Sequence, residues 1–340
     1  MLREAINRVL DGQNLSRREV QGALDAIMSG DCRPEQVAAL LAGLRAKGET
    51  GDELAGMAAS MRSHAERVRT DRGPLIDTCG TGGDGASTFN ISTASALVAA
   101  AGGAVVAKHG NRSISSKCGS ADVLEALGVH LDGGVATAER CIDRVGIGFL
   151  FAPHHHPAMR HVMPVRRAMG VRTAFNLLGP MTNPAGARRQ VIGVFSHTYT
   201  QVVCQALKDL GSEHVLVVCG DDGQGGVLDE ISTCGPTRGW ELRGGVLREI
   251  HLDPAALGVP LADVRALKGG DAAENAAALS SILSGEPGPR GDAVAVNAGA
   301  ALYVAGLVDD LPAGVQRAQE LLADGAGART LAALVEASAP

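Results

Sequence analysis

Asp77-Thr-Cys-Gly-Thr-Gly-Gly-Asp-Gly-Ala-Ser-Thr-Phe-Asn-Ile-Ser-Thr93 decides how this chain is read. An apolar run, Pro74-Leu-Ile76, leads into it, and Gly80, Gly82, Gly83 and Gly85 crowd its first half. A small-residue stretch over 92–102 then reads as a helix. Strand, glycine loop and helix start together present free backbone N–H groups to an anion. Glycine permits positive φ and removes the Cβ that blocks close approach. The loop matches neither the Walker A pattern nor G-x-G-x-x-G. A tight turn that uses glycine for geometry alone is the competing reading. Asp84 repels an anion unless it meets a metal-linked water or a ribose hydroxyl. Asn90, Ser92 and Thr93 stand at the helix start, where side chains cap the helix or reach a phosphate or Mg²⁺.

Upstream of this loop, residues 1–70 read as helices alone. Leu2, Ile6, Val9 and Leu10 recur at helical spacing. Ser16 is placed to cap a second helix carrying Val20, Leu24 and Ile27. Pro34 fits the first turn of a third, and Asp52 is the expected cap of a fourth that runs towards Val68. Downstream the pattern alternates. Strands are expected at 75–78, 104–107, 147–151, 190–195 and 214–219, with helices at 92–102, 119–127, 135–145, 155–169 and 199–210. That rhythm predicts a largely parallel sheet covered by helices. Short glycine-punctuated segments over 226–250 read as antiparallel β. The last 90 or so residues read as helices at 271–284, 291–306, 311–324 and 328–338.

Three further clusters carry chemistry. Lys108-His-Gly-Asn-Arg-Ser113 follows the strand 104–107, at the carboxyl end where α/β sheets bind ligands. Lys108 is placed to attract a phosphate and Asn111 to hold a planar polar substrate; a solvated loop is the alternative for Lys108 and Arg112. Ser115-Ser-Lys-Cys-Gly-Ser120 continues this loop towards a helix. Asp229-Glu230 is either a hard-cation site, as for Mg²⁺, or a pair of solvated acids. His154-His-His156 invites a metal reading, but adjacent residues at a helix start diverge and no Cys or carboxylate lies at ligand spacing. Arg166, a few residues on, is suited to a bidentate carboxylate contact.

Composition excludes several classes. The net charge of −6 and the 2% aromatic content argue against nucleic-acid binding. The 7 cysteines are scattered without a C-x-x-C pair, which favours reduced thiols in the cytoplasm. Cys79 reads as a small loop filler rather than a reactive thiol. Met1-Leu-Arg-Glu-Ala-Ile6 lacks the apolar core of a signal peptide, and no run reaches membrane-span length, so no membrane partner is expected.

Taken in order, these motifs resemble the anthranilate phosphoribosyltransferases. The matching segments include Asp77–Thr93, Lys108–Ser113, Val165–Arg167, Phe175–Ala185, Leu228–Ser232 and Asn297–Gly306. The resemblance implies an α/β protein, with a small N-terminal helical domain plus a large α/β domain whose central, mostly parallel sheet is flanked by helices. Residues 1–70 and a returning segment near 165–185 would form the helical part, with 74–340 the α/β part and a homodimer joined through the helical domain. It implies transfer of the 5-phosphoribosyl group from 5-phosphoribosyl-1-diphosphate to the amine of anthranilate, with Mg²⁺. By the same resemblance, Gly80, Gly82, Gly83, Asp84, Ser87, Thr88, Asn90, Ser92, Thr93, Lys108 and Ser120 would hold the diphosphate substrate. His109, Gly110, Asn111, His156, Arg166 and Gly179 would line the anthranilate path, with His109 the one candidate base. Ser92, Asp229 and Glu230 would bind the metal. The chain departs from the family pattern at Cys219-Gly220, where a histidine commonly precedes the glycine, and in a longer loop, 221–227. A pyrimidine-nucleoside phosphorylase-like transferase and a non-catalytic nucleotide-binding homologue are the rival readings.

Overall fold

The computed structural model describes residues 2–113 and 117–340. Four helices come first: α1 (Leu2–Leu10), α2 (Arg17–Met28), α3 (Pro34–Lys47) and α4 (Gly51–Ser63). Ser16 caps α2 in a reciprocal box with Glu19, and Pro34 opens α3. The cap of α4 is Thr50 and not Asp52. The Thr50 hydroxyl accepts from the Glu53 N–H at 3.3 Å, and the Glu53 carboxylate accepts from the Thr50 N–H at 2.9 Å. Asp52 instead lies in the first turn, where its charge complements the helix dipole. This helix stops at Ser63, short of the expected Val68.

The alternating region follows as β1 (Leu75–Gly80), α5 (Ile91–Ala101), β2 (Val105–Gly110), α6 (Ser120–Ala126), α7 (Gly134–Val145) and β3 (Ile147–Phe151). The single helix expected at 155–169 is broken into α8 (Ala152–His155), a 3₁₀ turn (Pro157–His161) and α9 (Met163–Met169). Pro153, Pro157 and Pro164 each occupy the first turn of a piece, because proline has no N–H to continue a preceding helix. A further helix, α10 (Phe175–Met181), is hidden in the sequence by Gly179-Pro180. The remainder is β4 (Arg189–Gly193), α11 (Thr198–Asp209), β5 (His214–Asp221), β6 (Val227–Leu228), β7 (Thr237–Arg243), β8 (Val246–Leu252), α12 (Ala272–Leu283), α13 (Pro289–Ala305), α14 (Leu311–Ala323) and α15 (Ala326–Ser338).

The strand order is β3-β2-β1-β4-β5-β7-β8, with β6 paired to β5. The first five strands are parallel, and β6, β7 and β8 join antiparallel. Strand β5 shows why both faces are covered. Leu216 and Val218 pack into the core with α5 and α13, whereas Val215, Val217 and Cys219 pack into a second core. Alternation along one strand thus feeds two separate clusters. The second cluster contains Leu24, Leu40 and Leu54 of the N-terminal helices together with Phe175 and Leu178 of α10. Among the described residues no helix is long and apolar enough to cross a membrane.

Candidate active site

The chain leaves β1 for β2 and β3 on one side and returns as β4 on the other, so the topology switches between β1 and β4. Open α/β sheets bind ligands at the carboxyl ends of strands beside such a switch. Gly80 ends β1 and Gly193 ends β4, and the Asp229-Glu230 segment lies across both. A Cβ on Gly80 would overlap the Asp229 carboxylate, and one on Gly193 would overlap the Asp229 main-chain oxygen. Gly82 and Gly83 serve a different purpose. Their φ values are +68° and +80°, and a Cβ on either would meet open space or the stem of Arg172. These two glycines set backbone direction; Gly80 and Gly193 create room.

The loop is tied to the acidic segment by hydrogen bonds. The Gly82 N–H donates to the Asp229 carboxylate at 2.6 Å. The Asp84 carboxylate accepts from the Ala86 N–H at 3.0 Å and from the Asp229 N–H at 3.3 Å. Ser87 follows with φ +54°, and Thr88 bridges to Lys268. The Glu230 carboxylate accepts from the Ser92 N–H, in the first turn of α5, at 3.1 Å. Burial pushes the Asp229 carboxyl well above its usual range, reinforced by Asp84 and Glu230. Burial raises Glu230 to about 8, against the opposing pull of Lys108.

The loop 221–227 follows β5 and leads to these acids. Asp222 folds it on itself, accepting from the N–H groups of Gln224 at 2.7 Å and Gly226 at 2.8 Å. Cys219, which precedes Gly220 in β5, is fully buried.

Beneath the loop, the buried Lys108 ammonium donates to the Thr78 carbonyl at 2.6 Å and to the Ser92 hydroxyl at 3.3 Å. Asp77, the acid that acts on it most strongly, is also buried; its carboxylate accepts from the His109 N–H at 3.1 Å and the Asn183 amide at 2.9 Å. Burial lowers the Lys108 pKa and raises that of Asp77, while their mutual attraction opposes both shifts. Asn90 precedes α5 but its side chain makes no cap. It donates to the Cys118 carbonyl at 3.3 Å and accepts from Asn275 at 2.9 Å. Thr93 is buried, and its hydroxyl has no partner among the described residues. Ser120 opens α6 and donates to the Asn111 carbonyl at 3.3 Å. The loop segment 115–120 lies partly outside the described residues.

The remaining expected site residues include histidines and an arginine. His109 Nδ1 lies 3.1 Å from the Gly179 carbonyl, which can only accept, so Nδ1 carries the proton. Nε2 is then an acceptor, and it is buried without a partner among the described residues. The His156 ring lies 5.1 Å from that of His109, tilted 55° to it, and likewise has a buried Nε2 without a partner among the described residues. Burial, with help from His156, holds His109 well below the usual histidine range; burial and His155 lower His156 to about 4. Both rings are therefore neutral at pH 7. Gly110 closes β2, and a Cβ there would overlap the Ser120 hydroxyl. Arg166 is half-buried over the Phe175 ring at 5.2 Å, and among the described residues it has no carboxylate partner. Burial lowers its pKa. Arg112 forms ion pairs with Asp122 at 3.1 Å and Glu125 at 2.8 Å. Burial raises the Cys79 thiol well above its ordinary value, as suits a packing residue.

Among the described residues no three His, Cys, Asp or Glu side chains converge on a metal-sized point. The chemistry of Asp229, Glu230 and Ser92 nevertheless fits Mg²⁺, which takes one or two carboxylates and completes its shell with substrate oxygens. Burial is the main reason both carboxyls hold their protons, with Asp84 adding to it, and a bound cation would favour their charged forms. The residues that motif reading overlooks are Gly193 and Arg172. Gly193 ends a strand whose neighbour is not readable from sequence, and Arg172 stands in an unremarkable loop.

The fold and cleft define a two-domain glycosyl transferase. The α/β-domain model of that glycosyl transferase family matches residues 72–328, and its helical-bundle model matches residues 3–65. The anthranilate phosphoribosyltransferase of Desulfatibacillum aliphaticivorans is 52% identical, covering 99% of this chain and 98% of the relative. That of Laribacter hongkongensis is 51% identical over 98% of this chain and 96% of the relative. The crystal structure of the Thermus thermophilus enzyme superposes with a TM-score of 0.92 at 46% identity, covering 98% of this chain and 99% of that one. The Saccharomyces cerevisiae enzyme in complex with PRPP and Mg gives 0.87 at 25% identity, covering 99% of this chain and 97% of that one. The chain belongs to the anthranilate phosphoribosyltransferase family. Its reaction transfers the 5-phosphoribosyl group from 5-phosphoribosyl-1-diphosphate to the amine of anthranilate and releases diphosphate, a step of tryptophan biosynthesis.

Proposed function

We propose that both substrates meet in the cleft above β1, β2 and β4, with the glycine loop holding one and the histidine–arginine side holding the other. The observation that carries this reading is the pairing of a loop turned by positive φ at Gly82, Gly83 and Gly85 with a half-buried guanidinium that has no carboxylate partner among the described residues. Gly80, Gly82, Gly83 and Asp84 hold the diphosphate substrate, joined by Ser87, Thr88, Asn90, Ser92, Thr93, Lys108 and Ser120. Arg166 takes the anthranilate carboxylate as a charge-assisted pair. Asn111, Gly110, Gly179, His109 and His156 align the ring and its amine. Asp229, Glu230 and Ser92 hold Mg²⁺, which when bound supplies positive charge against the leaving diphosphate.

Leaving of diphosphate builds positive charge at the ribose C1 and negative charge on the departing oxygens. Loop N–H groups fixed before the reaction stabilise that negative charge without reorganising. The amine nitrogen forms the new bond to C1 as the bond to diphosphate breaks, and the amine then gives up one proton. His109 Nε2 is oriented to accept an amine hydrogen. Its low pKa makes it a weak base, so holding the amine in line contributes more than deprotonating it.

The same reading extends to the whole protein. A boundary between residues 70 and 74, with 165–185 returning to the helical part, gives a hinge across the cleft. A homodimer through the helical domain and a cytoplasmic setting complete it. Loss of anthranilate fluorescence on mixing with the phosphoribosyl donor and Mg²⁺ tests the reaction. Thymidine phosphorolysis without that loss would instead make the protein a nucleoside phosphorylase.

A further inference from the structure

Arg172 is used by none of the roles above. It lies between α9 and α10 and makes three contacts that join separate parts of the cleft. Its guanidinium donates to the Gly83 carbonyl at 3.2 Å. The same guanidinium lies 4.6 Å over the Phe195 ring, just beyond the end of β4. Its own carbonyl accepts from Arg45 of α3 at 2.7 Å. Phe195 in turn packs edge-on against Tyr199 at 5.3 Å, whose hydroxyl donates to Glu49, between α3 and α4, at 3.3 Å. Two routes therefore run from the N-terminal helices to one residue of the glycine loop, and both pass through Arg172.

Gly83 has φ +80°, a conformation held by its surroundings rather than by a side chain. Its neighbours in the loop, Gly82 and Asp84, are both hydrogen-bonded to Asp229. A guanidinium at this rim keeps its charge and has further N–H donors beside the one given to Gly83. We propose that Arg172 is a positioning residue of the phosphoribosyl-diphosphate site, which fixes the glycine loop in its anion-binding form and couples it to the helical domain. This inference rests on the glycine loop being the donor site.

Arg172→Ala in the full-length enzyme should raise the KM for the phosphoribosyl donor roughly tenfold, the loss of one charge-assisted hydrogen bond. The anthranilate KM and kcat should stay within about twofold. Arg172→Lys, which keeps a donor able to reach Gly83, should recover part of the loss. Phe195→Leu, which leaves Arg172 in place but removes the ring it rests on, should raise the donor KM in the same direction by a smaller factor. It also serves if the alanine variant fails to fold. An unchanged donor KM in Arg172→Ala, a parallel rise of both KM values, or no recovery in the lysine variant overturns the proposal. Absence of transferase activity in the wild-type enzyme would instead overturn the reading on which it rests.

Discussion

The backbone N–H of Gly82 donates to the carboxylate of Asp229 at 2.6 Å, across 147 residues of sequence. This bond joins the anion-binding loop to the acidic segment and makes them one site. It also sets the loop's electrostatics: a donor that would face a phosphate is held by a carboxyl group whose charge is discouraged by burial.

Room for that bond depends on Gly193. A methyl group there overlaps the Asp229 main-chain oxygen, which is backbone and cannot swing aside. Gly193→Ala should cost about 1–3 kcal/mol, the usual range for overpacking, and lower kcat/KM sharply. Thermal melts and steady-state rates check this; a variant with wild-type melting and rate would show that the segment moves freely.

Replacement of Asp229 and Glu230 by Asn and Gln removes the proposed metal carboxylates while keeping their shapes. The Mg²⁺ concentration needed for half-maximal rate should rise at least tenfold, about 1.4 kcal/mol. A titration curve superimposable on the wild type would assign the metal elsewhere.

Arg166→Ala should raise the anthranilate KM by tenfold or more, the expected value of a charge-assisted pair of roughly 1.5–3 kcal/mol. The donor KM should change little, because Arg166 contacts Phe175 and Met163 rather than the glycine loop. An unaltered anthranilate KM removes Arg166 from that role.

His156 provides a pH signature. Its folded-state pKa is lowered to about 4, chiefly by burial. Between that value and about 6.5, the ordinary histidine pKa, the unfolded chain binds a proton that the folded chain refuses. Its contribution to stability is therefore present above pH 6.5 and is lost as pH falls towards 4. His156→Gln should flatten this acid-side slope, seen as a smaller drop in Tm between about pH 7 and about pH 5. Equal drops in variant and wild type would mean that the ring is solvated in solution.

The sequence carries much of this. The strand–helix alternation of 75–210 and the antiparallel character of 226–250 are both found. The differences are local. Asp52 and Thr50 are both capping residue types, and only the reciprocal bond with Glu53 distinguishes them. The helix expected at 155–169 breaks because three prolines weigh more than apolar spacing. Asn90, Ser92 and Thr93 look alike as a polar trio, yet they separate into an amide network, a partner of Lys108 and a buried hydroxyl.

What the sequence determined alone was local chemistry: a glycine loop with positive-φ turns, a lysine at a strand end, adjacent acids and an arginine on a helix. Those follow from steric and hydrogen-bonding rules that act over a few residues. Strand order was decided only by tertiary structure, because pairing of β1 with β4 depends on how whole faces are buried. That pairing brings Gly80 and Gly193 side by side, with Asp229 lying against both, so that motifs far apart in sequence meet at one end of the sheet.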